Sequence, residues 1–258
     1  MFKIATFNAN SIRSRVEIVK AWLEKEKPDC LCLQETKVQD GDFPASAFGE
    51  SGWHVVFRGE KSYNGVAIAS RVPTEEVSFG IDDGGPADET RIVRARISGV
   101  EVINTYVPQG RSVDDPFFRY KIEWFGRIRG LLDRHYSPGK AVVWAGDLNV
   151  APEAADVYDA KHLEGSVCFH PDERVALMGV LEWGLVDVFR MHNKDGGQFT
   201  FWDYRIANSV KRNLGWRLDH ILATEALAGK STKCWIDREP RLLPKPSDHT
   251  FLAAEFEV

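Results

Sequence analysis

The chain has 258 residues, 43% of them hydrophobic, enough to bury a sizeable core. Its formal net charge of −5 argues against a protein that coats nucleic acid through bulk positive charge. It does not exclude an enzyme that meets phosphate through a few local Lys and Arg residues.

No apolar run reaches the roughly 20 residues needed to cross a bilayer. The start MFKIATFNAN also lacks a basic segment followed by a long apolar one, so a soluble, cytoplasmic protein is expected. Short apolar runs rich in β-branched residues and bounded by Gly, Pro, Asn and Asp read as strands. The first, Lys3–Phe7, runs into Asn8 and Asn10. Ser11 is placed to cap a helix running to about Lys25, with Ile12, Val16, Val19 and Leu23 along one stripe. In the strand Cys30–Gln34, alternation puts Cys30 and Cys32 on one face, and Leu31 and Leu33 on the other together with Glu35.

Strands follow at His54–Phe57, Val66–Ser70, Ile92–Ile97 and Glu101–Val107, the last carrying Tyr106 and leading to Gln109. A second helix begins near Asp115, with Pro116 in its first turn. Its Phe118, Ile122, Phe125, Ile128 and Leu132 recur at spacings of three and four and should face a core. Ala141–Ala145 opens into GDLN, with Asp147 and Asn149, and a third helix is expected over Asp172–Trp183. Gln198–Trp202 and Leu218–Ala223 read as strands, the second containing Asp219. KPSDHT carries Asp248 and His249 ahead of a last strand, Leu252–Val258. Cys30, Cys32, Cys168 and Cys234 lack zinc-type spacing and read as reduced, structural thiols. With no repeat and no linker, the expectation is one domain spanning residues 1–258, two sheets packed face to face with helices outside.

Several of these strands end in a carboxylate, amide or hydroxyl, the position from which a rigid sheet aims side chains into a cleft. Hard divalent cations want oxygen ligands, and magnesium takes one or two carboxylates and keeps several waters. Glu35, with Asn8 and Asp248, supplies such a set. Hydrolysis of a phosphodiester also needs an activated water, a task for Asp147 with Asn149 to orient it. His249 or Tyr106 could stabilise charge on non-bridging oxygens, and Asp219 could hold the other nitrogen of His249. Taken singly, Asn8, Asp147 and Asp248 read more readily as turn residues or helix caps than as ligands. Spacing alone cannot bring them together.

The segments KIATFNANSIRSR, DCLCLQETK, YNGVAIASR, ETRIVRARI, VINTYVPQG, VVWAGDLNVAPEAADV, FHPDERVAL, LVDVFR, FTFWDYR, NLGWRLDHILA and KPSDHTFLAAEF resemble, in order and over nearly the full length, the exonuclease III family of AP endonucleases. That family lies within the endonuclease/exonuclease/phosphatase superfamily. The resemblance implies a four-layered α/β-sandwich with two mixed, mainly antiparallel sheets. It makes Glu35 the principal ligand of Mg2+, with Mn2+ a substitute, and places Asn8, Asn10 and Asp248 near the cation. It casts Asp147 as the group that prepares water, Asn149 as its positioning partner, Asp219 as the partner of His249, and His249 and Tyr106 as phosphate stabilisers. It also implies a monomer acting on double-stranded DNA at abasic sites, cut on their 5′ side to leave a 3′-hydroxyl, and at 3′ ends.

By the same resemblance, Phe201, Trp216 and Leu218 surround an abasic sugar, and Arg205 and Arg111 enter the groove. Arg91, Gln109, Asn208, Lys211 and Arg212 would contact DNA. From the strand pattern, Trp202 should be core and Phe201 should point the opposite way. Lys211 and Arg212 taken alone would be a solvated turn. Two positions depart from many relatives: Phe251 stands where they have Pro, and Phe201 where the bacterial prototype has Trp. A non-specific nuclease or another phosphodiesterase of the superfamily is the alternative enzyme. A catalytically inactive DNA-binding protein is the alternative of another class, opposed by the intact set of Glu35, Asp147, Asn149, Asp219, Asp248 and His249.

Overall fold

In β1 (Phe2–Asn8), Phe2 and Ile4 point one way while Ala5 and Phe7 point the other, and all four are buried, so both faces of this strand must be covered. The computed structural model, which describes residues 1–258, meets that demand with four layers. After β1 come α1 (Ile12–Glu26), β2 (Cys30–Gln34), α2 (Ala45–Gly49), β3 (His54–Glu60), β4 (Tyr63–Ser70) and β5 (Glu75–Phe79). Next are β6 (Ile92–Ile97), β7 (Val100–Tyr106), α3 (Pro116–His135), β8 (Val142–Asp147), α4 (Ala160–Leu163) and α5 (Pro171–Leu181). The last elements are β9 (Leu185–Asp187), α6 (Val188–His192), β10 (Asp219–Thr224), α7 (Glu225–Ala228), β11 (Ser231–Asp237) and β12 (Phe251–Phe256).

The two six-stranded sheets run β11-β12-β1-β2-β4-β3 and β5-β6-β7-β8-β10-β9. Each has one parallel pair at its centre, β1 with β2 and β7 with β8, and each pair is joined by a helix, α1 or α3. All the other neighbours are antiparallel. The sheets therefore match strand for strand, a duplication of topology that leaves no repeat in the sequence.

Between the sheets lie Ile4, Cys30, Cys32, Ile68, Val102, Val143 and Ile221. Cys30 and Cys32 share this inner face, and all four cysteines are free thiols. Trp124, Phe125, Ile128 and Leu131 of α3 cover the outside of one sheet together with α5. Val19, Trp22 and Leu23 of α1 cover the outside of the other. Phe251 opens β12 inside this outer layer, stacked between Phe7 at 4.0 Å and Trp22 at 4.2 Å. Each such aromatic pair contributes about 0.5–1.5 kcal/mol beyond its buried area. Phe251 is thus an anchor for the strand behind His249.

Several local expectations are corrected. Ser11 does not cap α1 through its side chain; its backbone has φ 91, and the first N–H groups instead reach Glu35 O at 2.8 Å and Thr36 O at 3.1 Å. The loop after β2 thereby satisfies the helix start. Asp115 does cap α3, accepting from Phe117 N at 2.8 Å with Pro116 in the first turn. Val16 and Ile122 are only half-buried, whereas Lys121 is wholly buried on α3. Gln198–Trp202 joins neither sheet. The N–H groups of Thr200 and Phe201 both converge on Trp216 O at 2.9 Å, which breaks the pleat and leaves only isolated bridges from Phe201 to Trp216 and His249. Trp202 is core, as its position suggested.

Gly146 shows how closely the central pair packs beside the last residue of β8. Its φ is 143°, and a Cβ there would stand 2.0 Å from Thr105 O on β7. Gly146→Ala should therefore lower stability by more than the ~1 kcal/mol of an average substitution, read as a fall in the urea midpoint. A midpoint equal to that of the parent chain would contradict this packing.

Candidate active site

The two central β–α–β units end on the same side of the sandwich, and their last residues meet there. Asn8 ends β1, Tyr106 ends β7 and Asp147 ends β8. Asp219 starts β10 directly opposite Asp147, and His249 precedes β12. Asn8 Nδ2 donates to Glu35 Oε1 and to Asp147 Oδ2, both at 2.8 Å, linking the two sheets. Asp147 Oδ1 accepts from Asn149 N at 2.9 Å. His249 Nδ1 lies 2.7 Å from Asp219 Oδ2, which leaves Nε2 facing the centre, 3.7 Å from Asp147 Oδ2.

Glu35 reaches this centre because alternation fails just before it. The strand pattern places it on the outer face with Leu31 and Leu33, but its backbone turns left-handed, φ 46, immediately after β2. That turn brings the carboxylate to Asn8, whose neighbours Ile4 and Phe2 lie between the sheets. Asn10, at φ 43, donates through Nδ2 to Asp248 Oδ1 at 2.9 Å.

Burial raises the pKa of Asp147 to about 7, opposed by the charge of His249 and reinforced by Asp219. The Asn8 hydrogen bond lowers it and the Glu35 charge raises it. Burial works against a charged His249, yet Asp219 and Asp147 together hold its pKa at about 10. The ring is therefore an imidazolium at neutral pH, its Nε2–H available to an anion. Burial, and then the charges of Glu35 and Asp147, keep the Tyr106 phenol well above its usual range, so it is a neutral donor.

A cation fits beside Glu35, and the structure carries a stand-in for one. The ammonium of Lys37 lies 2.7 Å from Glu35 Oε2 and 2.5 Å from Asn10 Oδ1, with Asp248 on the far side of Asn10. These oxygens already converge on a positive charge. A second cluster, Asp147, Asp219 and His249, has its ligand atoms within 4.8 Å of one another. There the imidazolium itself supplies the positive charge, so Glu35 is the better place for an external ion.

The residues read from the sequence as ligands divide by orientation. Glu35 Oε2 and Asn10 Oδ1 turn towards the cation position and Asp248 is tied to it only through Asn10 Nδ2, whereas Asn8 presents its amide N–H to the carboxylates and accepts from Asn10 N at 3.0 Å. Asn149 binds Asp147 through its backbone; its side chain donates to Val107 O at 3.0 Å.

Beside His249 opens a cleft of about 490 Å³ whose lining includes Glu35, Tyr106, Asp147, Gln109, Arg111, Phe201, Arg205, Trp216 and Leu218. The Phe201 ring lies 4.9 Å from that of His249 and faces away from buried Trp202. Arg205 is almost fully exposed and folded onto Asp203 at 2.7 Å, and Arg111 lies over Phe117 at 3.8 Å. Arg91 is not in the cleft lining. It sits behind Tyr106, donating to its carbonyl at 3.3 Å with the guanidinium 5.1 Å from the ring. Asn208 and Lys211 line a neighbouring groove with Arg238 and Arg241, and Arg212 is exposed beside it.

Four supporting groups escaped the sequence reading. Thr200 Oγ1 receives the N–H groups of Leu218 and Asp219 at 3.0 and 3.1 Å, and Ser247 Oγ donates to Asn8 O at 2.7 Å. Buried Lys121 pairs with Glu173 at 2.6 Å and donates to Asn149 O at 2.6 Å and Gln109 O at 3.2 Å, tying two site loops together. Buried Arg217 pairs with Asp156 and Asp187 at 2.6 and 2.8 Å beneath the Trp216 loop. Thr200, Arg217 and Ser247 lay inside the quoted segments FTFWDYR, NLGWRLDHILA and KPSDHTFLAAEF, whereas Lys121 lay in none of them.

The model of the endonuclease/exonuclease/phosphatase family matches residues 5–249, which contain every residue of this centre. The chain belongs to that family. Its relatives place it in the exonuclease III branch. Exodeoxyribonuclease III of Haemophilus influenzae is 30% identical over 267 aligned positions, covering 99% of this chain and 100% of the relative. An AP endonuclease from Archaeoglobus fulgidus superposes with a TM-score of 0.97 at 50% identity, over 100% of both chains. The Neisseria enzyme NExo, solved as a 3′ phosphatase bound to product DNA hairpin, superposes at 0.95 with 37% identity, again over 100% of both. The two mixed sheets flanked by helices are this family's fold.

Proposed function

We propose that the protein is a DNA-repair phosphodiesterase, one catalytic domain acting as a monomer, that incises duplex DNA on the 5′ side of abasic sites with Mg2+ and also processes 3′ ends. The observation that carries this reading is the apolar recess of Phe201, Trp216 and Leu218 opening directly beside His249. A flipped sugar without a base offers no base edge to read and packs through its C–H faces, so a recess walled by two aromatics and a Leu suits it. The names of the relatives support the same substrate class.

In this reading the scissile phosphate sits between Asp147 and the Glu35 side of the cleft. A water hydrogen-bonded to Asp147 attacks phosphorus; the carboxylate takes its proton as the new P–O bond forms and the bond to the 3′ oxygen breaks, the departing oxygen taking a proton from solvent to become the 3′-hydroxyl. A pKa of about 7 suits a base working near neutrality. His249 Nε2–H and the Tyr106 hydroxyl donate to the non-bridging oxygens as their charge grows. Asp219 keeps the imidazolium oriented. A Mg2+ held by Glu35, Asn10 and Asp248 would supply Lewis-acid neutralisation of charge on the phosphate and the departing oxygen.

The recess is tested by Trp216→Ala assayed on two substrates. Loss of an apolar wall should lower kcat/KM on an abasic duplex by about 10–100-fold, while removal of a 3′-terminal phosphate falls much less. Equal losses on both would assign Trp216 to general stability instead of sugar recognition.

A further inference from the structure

We infer that Lys37 is a tethered cation that holds the divalent-metal position when no metal is bound, and that the metal enters by displacing its ammonium; the inference rests on the cation-site reading above. The two oxygens the ammonium bonds, Glu35 Oε2 and Asn10 Oδ1, belong to different elements and are the ones turned towards the metal position. A surface ion pair between residues two apart would need only Glu35. This ammonium also bridges to the loop before α1.

The backbone of Lys37 is built to aim it there. Lys37 is left-handed, φ 52, its N–H donates to Asn64 O at 2.9 Å and its carbonyl accepts from Ser62 N at 3.4 Å. The next layer is as tight: a Cβ on Gly65 would stand 2.0 Å from Thr36 Oγ1. The β3–β4 turn therefore clamps the main chain, while the flexible four-carbon stem leaves the charge free to move. The side chain is about a quarter exposed, 28%, so the ammonium has an open side to leave by.

Charge explains why the site needs such a group. Glu35, Asp147, Asp219 and Asp248 gather around this centre, and the His249 imidazole pairs with Asp219 at its other end. A bare site would concentrate like charge between the sheets. With Lys37 in place part of that negative charge is offset in the metal-free protein, and a divalent ion gains by exchange: it takes the oxygens and releases a single charge to solvent or to a bound phosphate. The predicted cost of this arrangement is a weaker apparent metal affinity, because every ion must compete with the tether.

The test measures metal binding without DNA, on the whole chain. Free Mn2+ followed by electron paramagnetic resonance should show Lys37→Met binding Mn2+ roughly tenfold more tightly than the parent, for a competition of about 1.4 kcal/mol, and Glu35→Gln losing the site. Thermal unfolding in chelator should show Lys37→Met below the parent, with a larger rise on adding metal. In the unaltered protein, an acylating amine reagent read by mass spectrometry should modify Lys37 several-fold faster with saturating Mg2+ than with chelator, while Lys233 is unchanged. Equal or weaker Mn2+ binding by Lys37→Met, or Lys37 labelling that metal leaves unchanged or slows, overturns the inference even if Glu35 proves to be the metal ligand. Loss of all Mn2+ binding in the parent chain would overturn the metal site itself.

Discussion

Asp147→Asn should lower the turnover of an abasic duplex by about 10²–10⁴-fold, the range contributed by a positioned general base. An amide preserves the shape, and Asn149 N can still donate to its oxygen, so substrate affinity and metal binding should change little. The pH profile separates this loss from a folding defect. As the proposed base Asp147 would act as the carboxylate, so the rate should climb as pH rises through its pKa, about 7 without a bound ion. Occupancy of the cation position favours the charged carboxylate, so raising the metal concentration should move that limb to lower pH. In Asp147→Asn the limb should vanish. A surviving limb at the same pH would assign it to another group and remove Asp147 from proton transfer.

Glu35→Gln is expected to match or exceed that loss, roughly 10²–10⁴-fold, because on the proposed mechanism several kcal/mol of charge stabilisation would depend on an ion held by Glu35. The residual activity should also become indifferent to chelator. The same substitution strips Lys37 of its closest partner, at 2.7 Å, and halves the acceptors available to Asn8 Nδ2 in its charged form. Full activity in Glu35→Gln, still dependent on metal, would place the ion elsewhere, with the Asp147–Asp219–His249 cluster the first position to examine.

The sequence made the layered architecture legible wherever period and burial agree. β1, β2, β4, β6, β7 and β8 are buried along most of their length and stand where their apolar runs predict. The strands that escaped notice, β5, β9 and β11, lie at sheet edges or ends, where charged residues such as Glu75, Glu76 and Lys233 interrupt the apolar pattern. Gln198–Trp202 misled in the opposite direction. Its β-forming composition serves a loop that turns on the carbonyl of Trp216.

The site was legible as a set of residue types and, through family resemblance, as an ordered set. Its convergence was not, since Asn8 and His249 are brought together by the pairing of β1 with β12 and by Ser247, contacts between opposite ends of the chain. Glu35 shows the limit most clearly. Its identity stood out in QET, yet its direction depends on one left-handed residue that strand alternation gets wrong. Lys37, the next charged residue along, stood inside DCLCLQETK without a role until its ammonium was seen against Glu35 and Asn10. Sites at strand ends are where local rules yield to tertiary constraint.

The most direct test of the account is one gel assay on a duplex carrying a single abasic site, beside the same duplex intact and a nick blocked at its 3′ end. Incision on the 5′ side of the abasic site, leaving a 3′-hydroxyl that a polymerase extends, is predicted with Mg2+ and abolished by chelator. The intact duplex should remain uncut internally. Metal-independent incision, or equal internal cutting of the intact duplex, would contradict it.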